Sequence, residues 1–318
     1  MKFKAIEKLT FHKLSIGLSV FYLFCFYCFL NDFTIVIPRL ILYIIIFTST
    51  SVIAFSINDF FDRDHDSISN KINLFNNNNQ GYLIFIFLLV TGLTIVSLIL
   101  LKARILTVLL LITEYILFLM YSVPPVRLKE RKLMGVIADA LYAHVIPVFF
   151  VISMFDFKYS DHLFVVFLLL VWLLLFGSRN IINHQIEDVV NDERSQTNTF
   201  VIGFGVQKSR LLNRIIFISE ALLFFVLLLL LPFSIYIVSV YIIYLIILVL
   251  VSEKNLPVDE FIQERALNEF YEIHFPLFVL IYFVYKDSLY SFLLFFHLIV
   301  FSAVYYNYLK LFVKKYIK

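Results

Sequence analysis

The stretch "RLILYIIIFTSTSVIAFSINDFFDRDHD", residues 39 to 66, sets an apolar run of membrane-spanning character against four carboxylates: Asp59, Asp62, Asp64 and Asp66. On a helix of 3.6 residues per turn, Asp59, Asp62 and Asp66 fall at i, i+3 and i+7 on one face, with Asn58 beside them. Asp64 lies nearly opposite Asp62 and is expected to stand outside the set. Three like charges on one face repel, and they stay ionised near neutral pH when a cation is shared among them. Carboxylate and carboxamide oxygens are hard ligands, so the expected ion is Mg2+.

Composition supports a membrane reading of the rest. The 318 residues are 62% hydrophobic and 15% charged, with a mean hydropathy of +0.93. A soluble chain carries about 25% charged residues, so the bilayer is the solvent for most of this one. Ten apolar segments stand out, at about 15–31, 35–57, 81–101, 105–121, 134–154, 162–182, 212–231, 234–251, 271–285 and 289–309. The fold class is therefore all-α, a polytopic transmembrane helical bundle in one domain, 1–318. Cys25 and Cys28 sit three apart in the first run, about 5–6 Å between Cβ atoms on a helix, too wide for a disulfide. Two thiols also fall short of a zinc site. The N-terminus begins with lysines and continues into a long apolar run without a small-residue cleavage signal, so it is expected to be retained as the first span.

Alternating the spans from a cytoplasmic N-terminus tests this scheme. Of 26 Lys and Arg residues, all but Arg39, Lys102, Arg104, Lys158 and Lys286 then fall on one side, which orients both termini and the long polar loops to the cytoplasm. The count places Arg179 among the cytoplasmic cations. The run "FNNNNQ", 75–80, shows no helical or strand pattern and reads as a linker. The segment "VDEFIQERALNEFYEIHF", 258–275, reads as an amphipathic interfacial helix with Glu269 and Glu272 near the mouth of the bundle.

A second acidic stretch, "HQIEDVVND" at 184–192, ends the sixth segment and repeats the first pattern, with Gln185, Asp188 and Asp192 at i, i+3 and i+7. Acidic residues commonly solvate helix ends at a membrane surface. Two copies with the same spacing on the same side instead fit a pair of helix tips that grip one diphosphate through bridging Mg2+. Between them lies "YSVPPVRLKER", 121–131, where Pro124 and Pro125 end the fourth helix. Arg127 and Lys129 alternate with Val126 and Leu128, so they are expected to point to one side and pair with phosphate oxygens. Arg131 and Lys132 are assigned to membrane orientation.

These three motifs, in this order, resemble those of the UbiA superfamily of intramembrane prenyltransferases. The family's N-D-x-x-D-x-x-x-D is met by Asn58, Asp59, Asp62 and Asp66, its Y-S-x-P-P-x-R-L-K loop by Tyr121 through Lys129, and its second acidic motif by Asp188 and Asp192. The resemblance covers about residues 10–285. It implies nine spans, here with a tenth added at about 289–309, around a central cavity open to the cytoplasmic side of what would be a bacterial inner membrane. The second motif departs from the family pattern: His184 and Gln185 stand where Asn or Asp is usual, and Gln196 precedes Thr199 in place of the usual glycine. These departures bear on the number of ions bound and on the acceptor. His184 reads either as a contact to metal or phosphate or as a hydrogen-bonded interface residue.

The resemblance implies an enzyme that moves a prenyl group from an isoprenoid diphosphate to a hydrophobic acceptor, an aromatic quinone or pigment precursor by family frequency. Mg2+ would be held by Asn58, Asp59, Asp62, Asp66, Asp188 and Asp192. Lys71, Arg127 and Lys129 would bind the diphosphate. Glu114, Tyr121 and His184 would line the substrate cavity. Asp139, inside the fifth span, is the candidate for a direct catalytic role, since ionisable groups at such depth mark function. Expected partners are the donor, the acceptor and the lipid bilayer, with no nucleic acid. Three rivals compete. A cation transporter would put its carboxylates near mid-membrane rather than at helix tips. A CDP-alcohol phosphotransferase needs a D-G pair that this chain lacks. A cyclase that ionises the same diphosphate without an acceptor shares every motif.

Overall fold

The computed structural model describes residues 17–25, 33–68, 73, 80–155, 162–254 and 266–306. Within them the chain is helical and forms no strand, as backbone groups in a bilayer must be satisfied inside their own segment. Helix α1 covers 17–25, and α2 runs Phe33–Ile68. Next come α3 (Gln80–Leu100), α4 (Ile105–Ser122) and α5 (Leu133–Ser153), the last interrupted by a π turn at Leu141–Val145. Helix α6 (Leu163–Glu187) leads into the short α7 (Val189–Arg194) and α8 (Phe200–Phe204). The chain then forms α9 (Val206–Leu229), α10 (Ser234–Lys254), α11 (Ala266–Lys286) and α12 (Ser291–Val300).

Among the described residues, six helices are long and apolar enough to cross a membrane: Thr34–Asp64 within α2, and α4, α5, α6, α9 and α11. Three shorter apolar helices join them, Ile84–Leu100, Ser234–Ile247 and Ser288–Val300. The chain is an integral membrane protein on this evidence. Its outer surface agrees: Leu88, Ile99, Ile105 and Ile235 are exposed, an arrangement that water would penalise and lipid tails accept.

Two expectations are corrected. Residues from Ala266 onward continue as α11 rather than lying on the surface, and Phe270, Tyr271, Glu272 and Ile273 are buried. Residues 258–265 of that expected interfacial helix, like 75–79 of the asparagine run and Lys71, lie outside the described residues. Arg179, counted as a loop cation, is wholly buried in α6. Charge counting takes every arginine as solvated, and it has no means of seeing a partner 41 residues away.

The core is aromatic. Trp172 stacks on Phe176 of α6 at 5.5 Å, and Tyr271 of α11 meets both edge-on. A smaller cluster of Val136, Ile181, Ile182, Ile186, Phe200 and Val201 ties α5, α6 and α8 together beneath the second acidic motif. Both π turns are used. At the α11 turn Phe270–His274, His297 Nε2 of α12 lies 3.1 Å from the Ile273 carbonyl and docks the last helix. At the α5 turn, His144 lies against Phe176 at 4.8 Å while Gly177 lets the two backbones close. A Cβ at Gly177 would stand 2.7 Å from Ala140 Cα and 2.7 Å from His144 Cδ2.

Gly177→Ala therefore sets a gain in helix propensity of about 1 kcal/mol against overpacking of about 1–3 kcal/mol. Because one clashing atom is backbone, overpacking wins, and the thermal midpoint in detergent is expected to fall. A raised midpoint would show that α5 and α6 separate freely.

Candidate functional site

Helix α2 stays helical through the acidic stretch, which places Asn58 and Asp62 one turn apart on one side. Both meet the loop that follows α4. Ser122 Oγ donates to Asn58 Oδ1 at 3.2 Å, and Lys129 Nζ donates to the same oxygen at 3.3 Å. Lys129 Nζ also bonds both carboxylate oxygens of Asp62. Arg127 Nη2 donates to Asp62 Oδ1 at 3.0 Å, its Nη1 to the Phe61 carbonyl at 3.4 Å, and its Nε pairs with Glu130 Oε1 at 2.5 Å. Asp62 and Lys129 are both buried. Burial pushes the Lys129 ammonium below the usual lysine range, and the charge of Asp62 opposes that shift.

Arg127 and Lys129 thus share a side as expected, by a different route. The loop is not extended. Arg127 adopts a left-handed conformation (φ 37°, ψ 63°), and Leu128–Glu130 form a 3₁₀ turn that brings Lys129 back beside it. Left-handed backbone is unfavourable for a non-glycine residue by about 1–2 kcal/mol, which the two ion pairs on Asp62 offset.

The rest of the first motif is held from the far side of its loop. Asn73 Nδ2 donates to Asp66 Oδ2 and to the Asp59 carbonyl, each at 2.7 Å. Asp64 stands apart, exposed and 3.6 Å from Arg63 Nε.

The second motif departs from the helical expectation. Helix α6 ends at Glu187, Asp188 adopts φ −94° and ψ 1°, and α7 begins after it. The offsets do not share one continuous helical face. Gln185 turns inward, where its Oε1 accepts the Val201 backbone N–H at 3.2 Å and is buried away from Asp188. Asp188 Oδ1 accepts from Asn191 Nδ2 at 3.0 Å, and its Oδ2 lies 3.8 Å from Nε2 of His184, which is exposed rather than packed in an interface. Asp192 Oδ2 accepts from Thr199 Oγ1 at 3.1 Å.

Three observations bring the motifs to one end of the bundle. The Tyr121 hydroxyl lies within electrostatic reach of Asp139, Asp62 and Asp192. A cleft of about 510 Å³ has Pro124, Pro125, Arg127, Glu130 and Arg131 on one wall and Gln196 and Asn198 on the other. The Lys132 side chain packs over Gly203 of α8, where a Cβ would stand 2.8 Å from Lys132 Cε. The cationic loop is wedged between the acidic end of α2 and the segment that follows α6.

Deeper in the bundle, the Tyr142 hydroxyl donates to Asp139 Oδ1. Its ring meets Tyr121 at 5.2 Å and Phe118 at 4.8 Å, both edge-on. Glu114 is wholly buried on the inward stripe of α4, with Thr107, Leu111, Phe118 and Ser122, which ends at Asn58. Asn73 and Tyr142 were not singled out by the sequence, and Thr199 was named only as the end of the second motif's continuation. Tyr142 had a signal in its i+3 spacing from Asp139, whereas Asn73 is masked by the asparagine-rich stretch that follows it.

The chemistry of the donors fits a hard cation. Lys129 Nζ marks a point on which Asn58 Oδ1 and both oxygens of Asp62 converge, a position already held by positive charge. Among the described residues, no three His, Cys, Asp or Glu side chains gather to hold a metal alone. An ion held there needs further oxygens from water or substrate, the habit of Mg2+ with phosphates.

The chain belongs to the UbiA prenyltransferase family, whose sequence profile matches residues 14–258. No protein of curated function matches it. A UbiA homologue from Archaeoglobus fulgidus bound to DMAPP and Mg2+ superposes with a TM-score of 0.60 at 15% identity, over 87% of this chain and 95% of that one. The same protein bound to GPP and Mg2+ gives 0.56 at 15% identity, over 86% and 98%. A further structure of it gives 0.59 at 14% identity, over 92% and 100%. At these identities the likeness is one of fold.

Asn73→Ala removes two buried hydrogen bonds at the tip of α2, at about 1 kcal/mol each. The unfolding midpoint in detergent is expected to drop. An unchanged midpoint would mean that the loop after α2 does not hold the motif.

Proposed function

We propose that this protein transfers a prenyl group from an isoprenoid diphosphate to a hydrophobic, aromatic acceptor, with Mg2+ as cofactor. The observation that carries the reading is the seating of Arg127 and Lys129 on Asp62, at the end of the bundle where Tyr121 also senses Asp192. A buried lysine and a half-buried arginine beside a hard-oxygen cradle suit a leaving group that gains negative charge. The structures of an archaeal UbiA homologue with DMAPP or GPP and Mg2+ add support by family. Further elements of the proposal are nine to ten spans in one domain, a family-like core at about 10–285, and a cavity open to the cytoplasmic face of a bacterial inner membrane.

Asn58, Asp59, Asp62 and Asp66, with Asp188 and Asp192 opposite, would hold Mg2+, which supplies charge neutralisation of the diphosphate when bound. Lys129 and Arg127 exchange their bonds to Asp62 for bonds to phosphate oxygens and stabilise the departing charge; Lys71 adds to them. The C1–O bond of the allylic donor then breaks, and its electron pair leaves with the diphosphate. The π-faces of Tyr121, Tyr142 and Phe118 border the space where the allylic cation forms, and the apolar bundle keeps water from quenching it. A ring carbon of the acceptor supplies the electrons for the new C–C bond. Asp139, oriented by the Tyr142 hydroxyl, receives the proton that the acceptor loses. His184, exposed beside Asp188, stands at the rim of the site, and Glu114 lies at the deep end of the α4 stripe.

The test incubates purified protein with Mg2+, prenyl diphosphates of several lengths and candidate aromatic acceptors, measuring diphosphate release and prenylated product. Asp62→Ala is expected to lower both by about 10²–10³-fold. Undiminished turnover in that variant would overturn the site. Asp139→Asn is expected to lower transfer by about 10²-fold. Diphosphate release that needs no acceptor, with a cyclic hydrocarbon as product, would favour the cyclase instead.

A further inference from the structure

Two and a half turns into the bundle from Asp188, α6 carries polar residues that the proposed chemistry does not use. Arg179 and Glu220 of α9 are both wholly buried and form a two-pronged pair, with Nε to Oε2 at 2.7 Å and Nη2 to Oε1 at 2.9 Å. Arg179 Nη2 also donates to Asn268 Oδ1 of α11, and Asn268 Nδ2 donates back to Asn180 Oδ1 at 2.8 Å. One turn nearer the acidic motif, Asn213 Nδ2 of α9 donates to Asn183 Oδ1 at 2.6 Å. Phe176 and Phe217 lie 5.5 and 5.7 Å from the guanidinium carbon.

Leucine pairs would pack these helices more cheaply. In a bilayer, apolar contacts between helices are no more favourable than contacts with lipid and tolerate rotation. Exchanging a buried ion pair for apolar residues of similar volume is often neutral or stabilising. What a forked pair adds is direction. Arg179, Asn180 and Asn183 lie within five consecutive residues, and their partners sit on two helices, so the rotation of α6 about its axis is fixed from two sides. The same helix is unbroken from Arg179 to Glu187, one residue before Asp188. A functional group needs placement within about 0.5 Å and 10–20°. A turn of α6 of that size would displace Asp188 and Asp192 from Asp62.

We infer that Arg179, Glu220 and Asn268 are positioning residues that set the rotation of α6 and so aim the second acidic motif at the metal–diphosphate site. This rests on the function proposed above, and its test separates the two. Mn2+ binding in the presence of pyrophosphate is followed by electron paramagnetic resonance, alongside the thermal midpoint, for the full chain in detergent. The double variant Arg179→Met with Glu220→Met leaves no buried orphan charge. It is expected to keep or raise the midpoint while the Mn2+ dissociation constant rises about tenfold or more. Arg179→Lys, which keeps the charge and loses the fork, is expected to give a smaller rise of several-fold and serves if the double variant does not fold. A structural role alone would move midpoint and affinity together. Unchanged Mn2+ affinity in a folded variant overturns the inference and leaves the function standing. Wild-type protein that binds no Mn2+ with pyrophosphate overturns both.

Discussion

Carboxylates at the end of a membrane helix are stable only when something positive answers them, and the arrangement around Asp62 follows from that requirement. Its two oxygens receive Lys129 and Arg127, and the neighbouring Asn58 oxygen faces the same ammonium. Glu130 balances Arg127 from the loop side. In a buried setting such charges interact strongly, and leaving one uncompensated costs several kcal/mol. The loop after α4 takes a path that returns both cations to α2, through a left-handed arginine and a 3₁₀ turn. Pro124 and Pro125 stop α4 early enough for that return.

The same constraint explains why the loop can serve chemistry. Cations that already share one anion can be drawn to another without a large change in their burial or charge balance. Under the proposed function, a diphosphate beside Asp62 would offer Arg127 and Lys129 new oxygens, and Asp62 would then be free to help hold Mg2+, which would supply charge neutralisation. The site's electrostatic field is set by the fold before any ligand arrives, and preorganisation of that kind is what lowers the barrier to charge separation.

Much of this was legible in the sequence, and the boundary of legibility is physical. Helical spacing alone grouped Asn58 with Asp62 and set Asp64 aside, because α2 continues straight through the motif. The same rule failed at Asp188. There the chain leaves the helix, and Gln185 is drawn inward by the Val201 amide from a segment sixteen residues on. Periodicity describes a residue's position on its own helix and is silent on what another helix offers it. Arg179 is the clearest instance: the orientation rule for loops treated as a surface cation a residue that Glu220 and Asn268 hold in the core. Asn73 escaped because an asparagine run of no evident pattern follows it at 76–79, and only its bonds to Asp66 and Asp59 distinguish it.

The two acidic motifs also differ in how they are held, and the difference bears on which one adapts. The first is braced by charge: the buried Lys129 and the half-buried Arg127 on Asp62, with Asn73 bonded to Asp66. The second is braced by hydrogen bonds from neutral donors, Asn191 to Asp188 and Thr199 to Asp192, on short helices whose hydrophobic anchorage is the small cluster around Ile182 and Phe200. A hydrogen bond from a neutral donor to a carboxylate contributes about 1.5–3 kcal/mol but leaves the negative charge without a cation to answer it. The first motif is then the fixed reference of the site, and the second is the part whose setting must come from elsewhere in the fold. Within α6 the charged fixture is the buried fork at Arg179, on a helix that runs unbroken from there to Glu187, one residue before Asp188.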